Sequence, residues 1–258
     1  MNARRRGVAQ GVTVQSQGLW ETPGTGMVMP MAEAELRELL ATWVEGWASS
    51  RHYPTQRVGG FPAAQLTDRT SDWVAFAADP SDDDFASLAA FTAASPARIL
   101  TILTDDHLRF RTLAEQHGLD VLGADQELMV MDFEGKDVEA PWLNDDELKL
   151  KTEIEERAAT VTVVTDDGGL AASGHVAVAD GFAVFDRIVT EPAFRRRGLG
   201  SFVMRALTAA VSEHGAEQGL LIASIDGQHL YHHLGWSDIS GVLMLKNPGN
   251  EDGPSLND

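Results

Sequence analysis

The heptapeptide RRRGLGS, residues 195–201, breaks the pattern on both sides of it. Before it runs an apolar, β-branched stretch, FAVFDRIVTEP; after it, FVMRALTAAVSEHG repeats its apolar residues at helical spacing. Three arginines and two glycines thus stand where a strand hands over to a helix. The first N–H groups of a helix have no intrahelical partner, and the helix dipole adds partial positive charge there. Gly198 and Gly200 let the main chain approach a ligand closely, so successive N–H groups can converge on one anion. Arg195, Arg196 and Arg197 add cationic side chains. The joint therefore predicts a phosphate or pyrophosphate site. The alternative is a sharp turn decorated with surface arginines. A P-loop is excluded, because no Lys-Ser or Lys-Thr follows the glycines, and the dinucleotide fingerprint is excluded by Val203.

Composition narrows the ligand. The chain has 258 residues, enough for one large domain or two small ones, and a formal net charge of −19. Such acidity disfavours nucleic acid as a partner; it would draw a cationic or amine one, the alternative being that it serves solubility alone. There are no cysteines, which removes disulfides, thiolate catalysis and cysteine metal sites together and fits a cytoplasmic protein. No apolar run approaches the ~20 residues that span a bilayer, so no membrane partner is expected.

Along the chain, residues 1–30 read as a disordered tail. MAEAELRELLATWVEGWASS places Leu36, Leu39, Leu40, Trp43 and Trp47 at helical spacing, with the tryptophans as core or interface residues. Strands follow in GGFPAAQLT and DWVAFAADP, then a capped helix in SDDDFASLAAFTAA, a strand in ARILTILT, a helix ending at Gly118, and a strand in QELMVMDF. The charged, proline-containing segment EGKDVEAPWLNDDELKLKTEIEER reads as a connection. Beyond it, three apolar runs separated by DDGG and ADG predict an antiparallel meander that leads into the glycine joint. A helix, the strand GLLIAS, a short helix and a last strand complete the pattern, and residues 247–258 form a polar tail. LAEQHGLDVLGADQELMVM from Leu113 resembles LYHHLGWSDISGVLMLK from Leu230, an internal repeat in which Ala114 stands opposite Tyr231.

Arg195-Arg196-Arg197-Gly198-Leu199-Gly200 resembles the [QR]-x-x-G-x-[GA] signature of the GNAT superfamily of N-acetyltransferases, and LYHHLGW resembles that family's L-Y-x-x-x-G-[FW]. The likeness covers roughly residues 158–246. It implies an α+β fold, a GNAT-like twisted mixed sheet flanked by helices, with residues 134–246 as the catalytic domain. Residues 31–133 are expected to be a degenerate GNAT-like half arranged in tandem with it. The resemblance also implies acetyl-CoA as co-substrate, and no metal is expected. Its pantetheine would pair with Ile188, Val189 and Thr190, and its pyrophosphate would sit on the N–H groups from Arg197 to Ser201. Ser224 stands where many members carry an asparagine that contacts the cofactor.

Direct acetyl transfer needs positioning, a base for the ammonium proton and an acid for the leaving thiolate. In the family context Tyr231 is the acid; read alone, it is also a packed helical aromatic. Asp186 is the candidate base, a carboxylate inside an apolar strand whose partial burial would suit it to proton transfer; the alternative is a salt bridge with a nearby arginine. Glu191 is the second candidate. His229 and His233 stand at i, i+4 but lack a third ligand, so they read as packing or surface residues. The expected reaction is acetylation of a small-molecule amine or a protein amino group, with a non-catalytic acyl-CoA-binding sensor as the rival. A homodimer is compatible with the sequence.

Overall fold

The apolar runs assemble into eleven strands of one mixed sheet in the computed structural model, which describes residues 32–135 and 139–249. The two expected tails lie outside these residues. The first half runs α1 (Glu33–Ser50), β1 (Thr55–Val58), β2 (Phe61–Gln65), β3 (Trp73–Ala78), α2 (Asp82–Ala93), β4 (Ile99–Leu103), α3 (His107–Gln116), β5 (Asp120–Asp132). The second runs β6 (Leu148–Ile154), β7 (Ala158–Thr165), β8 (Leu170–Ala179), β9 (Phe182–Thr190), α4 (Leu199–Val211), β10 (Gln218–Ala223), α5 (Ile225–Leu234), β11 (Ser237–Lys246). The α+β architecture expected from the sequence is the one the chain adopts. Two elements depart from the sequence reading. β1 was not anticipated, and β6 occupies what read as the charged connection, because its residues are exposed from Lys149 to Ile154 and so lack the half-buried alternation that marks a strand.

Strand order is β1-β2-β3-β4-β11-β5-β10-β9-β8-β7-β6. Only β3–β4 and β9–β10 are parallel; the other pairs are antiparallel. The order is two-fold about the β11–β5 pair: β3-α2-β4-α3-β5 repeats as β9-α4-β10-α5-β11. β5 starts at Asp120 and β11 at Ser237, an offset of 237 − 120 = 117 residues. The LAEQHG and LYHHLG segments are therefore equivalent ends of α3 and α5. β11 lies between β4 and β5, and β5 lies between β11 and β10, so each half holds the last strand of the other.

Three apolar clusters hold the sheet. One packs under α2 and α3 and one under α4 and α5. The third lies beneath α1 and draws Val74 and Phe76 from the first half, Val184 and Ile222 from the second. The stripe Leu36, Leu40, Trp43, Trp47 forms the buried side of α1. Trp43 and Trp47 stack with ring centroids 5.3 Å apart, and both meet the edge of Phe76, which makes them core residues. Gly46 lets α1 lie close on β9: a Cβ there would stand 2.4 Å from Val184 Cγ2.

Candidate active site

The site begins where β9 leaves β10. The two pair only from Phe182↔Gln218 to Val184↔Leu220, whereas the equivalent β3 and β4 stay paired over five residues, to Ala78↔Leu103. The cause lies in β9. Between the pairs Ser173↔Val189 and His175↔Asp186 it carries one residue more than β8, a bulge, and Arg187 there has φ 50°. Beyond the bulge the strand swings away and opens a cleft of about 700 Å³ between its end, the α4 N-terminus and α5.

At one end of the cleft the helix terminus is open. Gly198 is the N-cap of α4, with φ 79° in the left-handed region, and no side chain caps the helix. The equivalent helix α2 is closed to an anion. Ser81 caps it, accepting from Asp84 N–H at 3.2 Å, and its first turn is Asp82, Asp83 and Asp84. Gly200 faces α5: a Cβ there would meet Leu230 Cδ2 at 3.0 Å. Arg195 Nε donates to Thr190 O at 3.2 Å and fastens the loop to the end of β9. These groups suit a doubly anionic phosphate chain: unsatisfied N–H donors, a helix dipole and two arginines on the wall.

The cleft brings together Asp186, Ile188, Val189, Thr190, Arg195, Arg196, Gly198, Leu199, Gly200, Ser201, Ser224 and Tyr231. Arg197, singled out in the sequence for cofactor contact, is absent from the lining. Its guanidinium turns to Asp145 and lies over the Phe194 ring, 5.4 Å from the centroid. Glu191 is also outside the lining. Ser224 serves as the N-cap of α5, accepting from Gly227 N–H at 3.3 Å.

Tyr231 is 7% exposed, its ring 5.9 Å from that of Trp236, which in turn meets Phe185 edge-on. Burial first, and Asp186 second, push the Tyr231 hydroxyl well above the ordinary tyrosine range. The phenol is therefore held protonated, with nearby anionic charge resisting its ionisation.

Asp186 is also buried, but not alone. Arg51, just past the C-terminus of α1, donates from Nε to Asp186 Oδ2 at 2.6 Å and from a terminal nitrogen to Oδ1 at 2.8 Å. The side chains are 2% and 5% exposed. Burial alone would lower the Arg51 pKa, but Asp186 outweighs it and leaves the guanidinium raised. The salt-bridge alternative is thus the geometry the chain adopts, and both carboxylate oxygens are committed to it. A second link stands beside it. Asp68 accepts from Tyr53 Oη and from Arg187 at 2.9 Å; burial would raise its pKa, but these partners hold it below the usual carboxylate range. The first half therefore grips both Asp186 and the bulge residue Arg187. Sequence reading missed Arg51, Tyr53 and Asp68, which have no local signature.

His175, paired with Asp186 across β8 and β9, hydrogen-bonds Thr160 Oγ1 through Nδ1 at 3.0 Å. Burial lowers its pKa, outweighing the opposing pull of Asp186. Its folded-state pKa lies below the unfolded one, so the unfolded chain binds the proton first as pH falls. The stability tied to neutral His175 is complete above about pH 6.5 and is lost as pH drops through the folded value. Melting temperatures measured between about pH 7.5 and 5 should fall less steeply for His175→Gln than for the parent; equal slopes would refute the assignment.

Residues 157–238 match the family model described as an acetyltransferase (GNAT) domain. The chain carries a GNAT domain. The match spans the meander, β9, the glycine joint and α5, the elements that build the cleft. Among solved structures, the GNAT fold extends over nearly the whole chain. A GCN5-related N-acetyltransferase from Kribbella flavida superposes with TM-score 0.61 at 15% identity, covering 84% of this chain and 97% of the other. A tandem GNAT protein from the clavulanic acid biosynthesis pathway gives 0.54 at 15%, covering 88% and 98%. A GCN5-related N-acetyltransferase from Sphaerobacter thermophilus gives 0.52 at 11%, covering 76% and 79%. No curated protein matches in sequence. The GNAT fold supports acyl transfer in general. Among the described residues no helix is long and apolar enough to cross a membrane, and no cluster of His, Asp and Glu could hold a metal ion.

Proposed function

We propose that the protein is an acetyl-CoA-dependent N-acetyltransferase that moves an acetyl group directly to an amine within a ternary complex. The observation that carries this reading is the cleft itself, an uncapped helix N-terminus at one end and a buried, protonated tyrosine on its wall. Acetyl-CoA supplies the activated thioester; the protein's groups bind and orient it. The N–H groups that follow Arg196, with Arg195 and Arg196, hold the diphosphate. Each hydrogen bond to a charged group contributes about 1.5–3 kcal/mol. The free edge of β9 from Ile188 to Thr190 pairs with the pantetheine amides. Tyr231 gives its proton to the departing thiolate and is reprotonated by the proton that the attacking amine nitrogen sheds as the amide bond forms and the thioester bond breaks. Asp186, fixed by Arg51, positions the strand and keeps negative charge near the acceptor nitrogen. Because its oxygens are committed, we assign it orientation rather than proton abstraction.

The acceptor belongs to the class of small-molecule amines or protein amino groups, drawn by a chain with net charge −19. A cysteine-free, acidic chain fits the cytoplasm, and nucleic acid has no place in this reading. Residues 31–133 are a degenerate copy of the domain in 134–246. The paired β3–β4 and the acidic, capped start of α2 leave no counterpart of the cleft there. The copy's role is to hold the bulge of β9. The rival reading, an acyl-CoA sensor, binds the same ligand but releases no thiol when an amine is present.

The reading is tested by calorimetric titration with CoA and by a thiol-release assay over an amine panel. Gly198→Val with Gly200→Val forces a β-branched residue into the left-handed region and drives a side chain against Leu230. The affinity for CoA should drop by about 100-fold or more, as expected when two hydrogen bonds to a charged group are lost. Undiminished CoA affinity in that double variant, if folded by circular dichroism, ends the case for the diphosphate site.

A further inference from the structure

β6 closes one end of the sheet, and among the described residues no strand pairs with its outer edge. Its sequence from 149 to 155 reads Lys-Leu-Lys-Thr-Glu-Ile-Glu. About Thr152 this is a palindrome in hydrophobicity and an inverted one in charge. Lys149 and Lys151 stand as far before the centre as Glu155 and Glu153 stand after it. Leu150 and Ile154 are its apolar pair.

The backbone agrees with the same centre. Glu155 N–H donates to Ala158 O at 2.8 Å, and β6 pairs with β7 in continuous antiparallel register from Leu148↔Thr165 to Ile154↔Ala159. Hydrogen-bonded pairs alternate along such a ladder, so Glu155, Glu153, Lys151 and Lys149 turn their N–H and C=O groups toward β7. Leu150, Thr152 and Ile154 turn theirs to the open edge. On the face that carries Leu150, Thr152 and Ile154, the β7 partners are Val163, Val161 and Ala159, all buried in the cluster under α4. Leu150 and Ile154 continue that core outward and remain 39% and 59% exposed.

We propose that β6 is the dimerisation edge of the protein, taking a second copy of the same strand antiparallel across a two-fold axis at Thr152. In this register Leu150 stands opposite Ile154 of the second copy, and Thr152 opposite its own equivalent. Lys151 faces Glu153 of the second copy and Lys149 faces Glu155, each contact occurring twice by symmetry. Outward N–H and C=O groups meet outward ones at 150, 152 and 154. Shifting the axis to Lys151 sets two lysines opposite each other; shifting it to Leu150 pairs Lys149 with Lys151 and Glu147 with Glu153. Like charges directly opposite destabilise a sheet, whereas opposite charges and Thr–Thr pairs favour it. A row of unpaired backbone groups favours strand addition generally. The sequence selects this one register, and the two sheets become one. The proposal does not depend on the acetyltransferase reading.

Sedimentation equilibrium on the full chain from about 1 to 100 µM tests it. The parent is expected to be dimeric. Thr152→Pro removes an N–H that points away from β7, a change an edge strand tolerates, so the monomer should keep its circular dichroism and melting temperature while the dimer is lost. Lys151→Glu sets glutamates against each other at two places and should weaken association about tenfold. Adding Glu153→Lys to that variant restores opposite charges and should recover the parent's affinity. A parent that stays monomeric at the highest concentration overturns the proposal. So does a dimer indifferent to Thr152→Pro, or a charge reversal that the second substitution fails to rescue.

Discussion

Replacing Tyr231 with phenylalanine is expected to lower kcat by about 100- to 10,000-fold, the contribution typical of a positioned proton donor. The ring stays where it packs on Trp236, so the affinity for CoA should hold and the loss should fall on turnover alone. Stopped-flow thiol release with saturating amine separates the two. Because burial holds the parent's hydroxyl protonated, kcat should show no falling limb from this residue in the ordinary tyrosine range. If the phenylalanine variant turns over like the parent, the thiolate is protonated by another group and Tyr231 is a packing residue.

Breaking the buried Arg51–Asp186 pair should cost the protein a large part of its stability. Removing one partner of a buried, bidentate ion pair leaves a charge in the interior and costs about 3–5 kcal/mol. Arg51→Ala and Asp186→Ala should both show it as a lowered denaturant midpoint. Arg51→Met combined with Asp186→Leu removes both charges and fills the space, so it should recover most of the stability. Function and stability then separate. If Asp186 sets the acceptor's charge environment, the double variant is stable yet slow, with CoA affinity near the parent's. A stable double variant with full activity would mean that the pair serves folding alone.

Much of the lining of the candidate cleft was legible in the sequence because it is local. An uncapped glycine turn, its arginines and the helix that follows are contiguous, and their physics is that of one helix terminus. Tyr231 was singled out through the resemblance of its short helix-Gly-Trp unit to a family motif, and the structure puts it on the cleft wall. Arg51 was not. It meets Asp186 across a sequence separation of 135 residues, and nothing about an arginine after a helix announces its partner. β6 escaped because a strand exposed on both faces, alternating lysine with leucine, resembles a solvated connection more than a half-buried ribbon. The repeat offset was visible in the α3 and α5 segments, yet the exchange of β5 and β11 was not. Local pattern fixes which residues are strand; it says nothing of which half a strand joins.

That exchange has a consequence for how the chain comes into being. On a ribosome, Leu103 appears long before Val242, its neighbour in the finished sheet. Until then the edge of β4 that Val242 will cover has no native strand beside it, and hydrogen bonds of so distant an origin form slowly. The nascent first half is therefore a candidate client for chaperones, vulnerable to sticking to its own kind. Only the arrival of β11, slotting home beside it, ends that hazard.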